Sequence, residues 1–117
     1  MHDTVTIALI TEVYPGSDGP ERLTDRLREA AAGGAEIALL PELPMDRWAP
    51  ATREVSDSDA EPPMGPRWTA QSGAARSAGV FLVGGAIVRD PGTHRRHNTA
   101  FVFDRDGRQI AGSGLPS

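Results

Sequence analysis

The stretch Ile37-Ala38-Leu39-Leu40-Pro41-Glu42-Leu43-Pro44 constrains the fold more than any other part of this 117-residue chain. Four apolar residues in a row are too few for a helix and fit a short strand buried on both faces. Pro41 has no N–H to give, so the ladder ends there, and Glu42 follows at once. In open α/β sheets, ligands and chemistry gather at the carboxyl ends of parallel strands. Glu42 is therefore a candidate general base on a rigid support. The competing reading is that it merely opens a solvated loop.

The residues upstream complete a β-α-β unit. Thr4-Val5-Thr6-Ile7-Ala8-Leu9-Ile10 is β-branched and apolar, as a central strand should be. Pro15, Gly16, Ser17 and Asp18 mark a loop, and Pro20 suits the first turn of a helix. Leu23, Leu27, Ala30 and Ala31 form one apolar stripe on that helix, which Gly33-Gly34 ends. Two strands joined this way run parallel with a right-handed crossover.

Downstream, Leu43 to Gly65 is rich in proline and acidic residues, with Trp48 as its one large apolar anchor. Loops of this length are often lids or binding loops, and a solvated excursion is the alternative. A second helix is expected from Pro66 to Ser77, ended by Gly79. Val80-Phe81-Leu82-Val83 is a third buried strand, continued past Gly84-Gly85 by Ala86-Ile87-Val88. Glycines inside a strand point to a bulge or a close backbone approach. Asn98-Thr99-Ala100-Phe101-Val102-Phe103 and Arg108-Gln109-Ile110-Ala111 form a hairpin about Asp104-Arg105-Asp106-Gly107. The breaker-rich residues 113–117 read as an unstructured tail after a domain spanning 1–112.

Composition narrows the chemistry. A net charge of −4 with no basic face argues against a nucleic-acid partner. No apolar run is long enough to cross a bilayer, and strand-like residues begin almost at Met1, so neither a membrane nor a signal peptide is expected and a cytoplasmic location is the default. The chain contains no cysteine and no lysine. Thiol nucleophiles, thiolate metal sites and amine nucleophiles from lysine are thus excluded within it. His94 and His97 lack a third ligand, so no metal is expected there. Arg95-Arg96 could meet an anion or simply cap a solvated hairpin. Asp104 and Asp106 are turn residues rather than a carboxylate pair.

Taken together, Val5–Leu9, Ala30–Leu43 with its Leu40-Pro41-Glu42, Ala78–Gly85, and the Asn98-Thr99 strand running to Asp104 resemble the N-terminal part of the nitrilase superfamily, the carbon–nitrogen hydrolases. The resemblance implies the N-terminal half of an α-β-β-α sandwich, with a mixed sheet and helices on one face. It implies amide or nitrile hydrolysis through a thioester, on small-molecule substrates and without metal or cofactor. Such chemistry uses a glutamate base, a lysine beside the tetrahedral intermediate and a cysteine nucleophile. Glu42 carries over as the base. The lysine position falls on or near Pro116, and the cysteine has no counterpart among these residues. The expectation is a truncated hydrolase, inactive alone, whose bare sheet invites pairing with a second copy or a related chain. Two alternatives stand beside it. One is a non-enzymatic module that pairs with a full-length relative, and the other is an unrelated small-molecule-binding α/β domain with Glu42 in its pocket.

Overall fold

The computed structural model describes residues 4–46 and 59–116. Its elements in chain order are β1 (Ile7–Leu9), α1 (Gly19–Ala32), β2 (Ile37–Leu39), β3 (Ala60–Glu61), α2 (Pro66–Ala78), β4 (Phe81–Arg89), β5 (Arg96–Phe103) and β6 (Gln109–Pro116). They form one six-stranded mixed sheet in the order β1-β2-β4-β5-β6, with β3 on the same edge of β4 as β2. β1, β2 and β4 run parallel, as the β-α-β reading requires, and β4, β5 and β6 form an antiparallel meander.

Register sorts the side chains onto two faces, because neighbours along a strand point opposite ways. Ala38, Leu82 and Phe103 are partners across three strands and are fully buried beneath the helices. Leu23 and Leu27 from α1 and Ala74 and Ala75 from α2 close over them. Trp68 meets Phe103 edge-to-face, with ring centroids 5.4 Å apart. Burial of each large side chain here contributes roughly 1.5–3 kcal/mol. The other face carries Ile7, Leu9, Ile37, Leu39, Phe81 and Val83, and among the described residues no helix covers it. Leu9 is 74% exposed and Ile7 50%.

Two buried polar side chains hold this arrangement in place. β2 pairs with β4 at Phe81–Val83 and β3 pairs with it at Ile87–Val88, which leaves the edge of β4 open between them. The Gln71 amide fills the gap from α2. Its Oε1 accepts from the Gly85 N–H and its Nε2 donates to the Gly85 carbonyl, both at 2.9 Å. A Cβ at Gly84 would lie 2.0 Å from that Oε1, so this close approach needs glycine. Glu61, 3% exposed, accepts from the N–H groups of Arg67 and Trp68 at 2.9 and 3.1 Å. It thereby caps α2, whose N-cap Gly65 has no side chain to do so, and its charge suits the helix dipole.

Several expectations need revision. β1 is three residues long rather than Thr4–Ile10, since as the outer strand it pairs only with the equally short β2. The tail is not unstructured as far as Pro116: residues 111–116 continue β6 along β5, because the ladder bonds of β5 are available to any backbone N–H and carbonyl. β5 starts at Arg96, two residues early, and β3 has no strand-like pattern in the sequence. The Asp104–Gly107 turn is as expected, with Gly107 at φ +80° and Asp104 Oδ1 accepting from the Asp106 and Arg108 N–H groups. The expected anchor Trp48, most of the proposed lid and His2 lie outside the described residues. Among the described residues no helix is long and apolar enough to cross a membrane.

Candidate functional site

Glu42 stands three residues past the end of β2, on the loop that leaves the strand's carboxyl end. The last ladder bond, Leu40 N–H to the Val83 carbonyl at 3.0 Å, fixes the chain just before it. The turn after it is tight: Leu43 sits at φ +48°, a left-handed conformation that costs a residue with a Cβ about 1 kcal/mol. The Tyr14 N–H donates to the Pro44 carbonyl at 2.6 Å, tying the loop after β1 to the loop after β2. Pro44 and Met45 are buried beside Tyr14, so this second loop is clamped by packing as well. Burial first, and Glu12 second, hold the Tyr14 phenol above its ordinary range.

The Glu42 side chain reaches across to β5. Asn98 Nδ2 donates to Glu42 Oε1 at 2.6 Å, linking residues 56 apart in sequence. Among the described residues no partner occupies Oε2. Both side chains border a recess of about 240 Å³ on the helix-free face. Leu40, Pro41 and Leu43 form one side of it, Gly84 and Gly85 line its base, and Thr99, Ala100 and Ser113 complete the rim. A carboxylate with one oxygen held by an amide donor and the other open can accept a proton from a group placed in such a recess. The Gly85 N–H is already bonded to Gln71 and is not available to a developing oxyanion.

Other sequence candidates lie apart from this recess. His94 is exposed in the β4–β5 turn at φ +61°. His97 lies opposite Val88, on the strand face away from Asn98. Among the described residues no group of three or more histidines, cysteines or carboxylates could hold a metal. Asp104 serves the turn. The sequence pattern places Asn98 simply at the start of a strand, although asparagine is disfavoured in strands and is itself a signal.

No protein-family model matches the chain, and no curated protein matches it significantly. Solved structures do. An amidase from Nesterenkonia sp. shares 25% identity at a TM-score of 0.67, over 94% of this chain and 42% of that one. A double mutant of the amidase from Nesterenkonia sp. AN1, in complex with acrylamide, aligns at 24% identity and a TM-score of 0.70 over the same shares. An N-terminal amidase aligns at 15% identity and 0.68, over 94% of this chain and 27% of its own. The Nesterenkonia AN1 protein is an amidase of the nitrilase superfamily. This chain spans well under half the length of each of these three.

Proposed function

From a partial nitrilase-like fold, we propose that this chain supplies the general-base portion of a carbon–nitrogen hydrolase site acting on small amides. The observation that carries it is the Glu42 carboxylate, held by Asn98 at 2.6 Å on the lip of a recess at the carboxyl end of β2. Glu42 Oε2 takes the proton of a nucleophile entering the recess, and Asn98 keeps the carboxylate turned toward it. The 117 residues contain no cysteine and no lysine, so the thiol and the ammonium of a nitrilase-type reaction come from elsewhere. By themselves these residues are a base without a nucleophile. The test is ammonia release from small aliphatic amides, by this chain alone and by the chain joined to the sequence encoded after Ser117. The joined form turns over, Glu42→Gln lowers kcat by about 10²–10⁴, and the isolated chain is inactive. A Glu42→Gln form as active as its parent would remove Glu42 from the mechanism.

A second reading has its own observation, the apolar outer strand. Val5, Ile7 and Leu9 are all at least half exposed on or beside β1. In this reading the chain is an interaction module that pairs through its helix-free face with a second copy or a related chain. A mass measurement by light scattering across a concentration series separates the two. A stable complex without hydrolysis favours the module.

A further inference from the structure

We propose that Asp46 and Arg67 are positioning residues for Glu42, acting through the turn that follows it, so that α2 sets where the carboxylate stands over the recess. The inference rests on the hydrolase reading of Glu42 and deepens it. Residues 43–46 form the turn that leaves the recess. Leu43 lies at φ +48°, and the Asp46 N–H donates to the Leu43 carbonyl at 3.1 Å. Movement of Asp46 is therefore passed to the residue beside Glu42. The Asp46 side chain turns inward to α2: its Oδ1 lies 2.5 Å from Arg67 Nε, with the two side chains 10% and 21% exposed. Arg67 is in turn held by Glu61, whose Oε1 accepts from the Arg67 N–H at 2.9 Å and from Nη1 at 3.5 Å. The line Glu61–Arg67–Asp46–Leu43 ties the loop bearing Glu42 to β3 and to the first turn of α2.

The same helix holds the floor of the recess. Gln71 stands four residues after Arg67 and so on the same face of α2. Its amide grips the N–H and the carbonyl of Gly85, which lines the base of the recess that Glu42 borders. One helical turn, about 5.4 Å along the axis, thus separates the anchor of the floor from the anchor of the lip. Asn98 holds a carboxylate oxygen from β5, whereas Asp46 and Arg67 hold the backbone behind it from α2. A buried ion pair is a poor source of stability, since desolvation offsets its attraction, and burial does lift the Asp46 carboxyl above its ordinary range. What the pair supplies here is a fixed geometry. A base works only where the groups around it hold it within a fraction of an ångström of its place.

The experiment follows the Asn98 side-chain amide in the ¹⁵N-labelled 117-residue chain at neutral pH. Glu42→Ala gives the signal of an Asn98 that has lost its carboxylate, and the displacement of the parent from that reference measures the Glu42–Asn98 contact. Asp46→Ala and Arg67→Met should each reduce this displacement roughly twofold or more, with the backbone amides of Leu82 and Phe103 on the covered face unmoved. Asp46→Asn, which keeps an oxygen facing the guanidinium, should retain most of it. A displacement unchanged in both Asp46→Ala and Arg67→Met would overturn the proposal. So would collapse of the covered-face signals in both, which would make the pair part of the fold rather than a support for Glu42. The measurement involves no turnover, so it stands apart from the hydrolysis test. An unchanged Asn98 signal removes the support and leaves Glu42 as the base, whereas a fully active Glu42→Gln form removes the base and leaves the support in place.

Discussion

The two faces of this sheet are built from the same strands and treat water in opposite ways. Beneath the helices, Leu23, Leu27, Leu82 and Phe103 lose all contact with solvent. On the other side Leu9 and Ile7 remain largely exposed, and a recess opens beside Glu42. Register alone produces the difference, since Ala38 and its neighbours Ile37 and Leu39 must point to opposite sides. The covered face supplies stability, and the open one leaves a carboxylate reachable. A sheet with both faces sealed by helices would have buried Glu42 and the recess with it.

The sharpest way to break this contrast is to cut the covered face. Phe103→Ala should cost about 3–5 kcal/mol, because it removes the ring that meets Trp68 and Phe101. Urea titration of the two forms would measure it. A cost below about 1 kcal/mol would mean that the helices are not seated as described. The next largest effect belongs to the amide that joins the two faces. Gln71→Leu leaves the Gly85 N–H and carbonyl unpaired, at about 1–3 kcal/mol for each group left without a partner. Hydrogen exchange at Gly85 should accelerate in step with the stability loss. Unchanged exchange there would show that the Gly85 N–H does not depend on the Gln71 amide.

A smaller effect should appear with pH. Asp46 is pushed up from the ordinary carboxylate range, first by burial, although the Arg67 guanidinium opposes this. The Arg67 guanidinium pairs with Asp46, yet both Asp46 oxygens are buried, and desolvation outweighs the pairing. The folded state then binds this proton more tightly than the unfolded chain does. The contribution is full below the unfolded value of 3.8 and is lost as pH rises through the raised folded value. Asp46→Asn should flatten the stability profile over that window. A profile equally steep in the variant would assign the slope to another group. Smallest of all is Leu9→Ser on the open face, within about 0.5 kcal/mol for the monomer. If that substitution instead changes the oligomeric mass, the module reading gains at the expense of the hydrolase.

What the sequence disclosed follows the same division. The β-α-β unit was legible because Ile37–Leu40 has no polar residue and Pro41 closes it, and because Leu23 and Leu27 repeat at helical spacing. Pro66 and Gly79 bounded α2 almost to the residue, with Gly79 at φ +69° as a left-handed cap requires. What escaped was whatever depends on a partner far along the chain. Glycine and serine in residues 112–114 have poor strand propensity, yet they pair because β5 offers a free edge. Nothing in the sequence around Gln71 sets it apart on its helix, and the gap between β2 and β3 gives it work. Glu42 was visible as a candidate through Pro41. Its tie to Asn98 was not, since no local pattern connects residues 56 apart. The amidase-like architecture is shown by the solved structures, and the role of Glu42 within it is the proposal that the hydrolysis assay decides.

The left-handed turn at Leu43 has an evolutionary consequence. Glycine there would relieve the backbone and, by that measure, make a sturdier protein. It would also release the residue after Glu42 from its narrow conformational well. A lineage selected for robustness alone should drift to glycine at this position, whereas one selected for a carboxylate aimed within a fraction of an ångström should retain a side chain. Which residue wins in a library screened for thermal survival, and then again for turnover, would reveal which pressure shaped this loop.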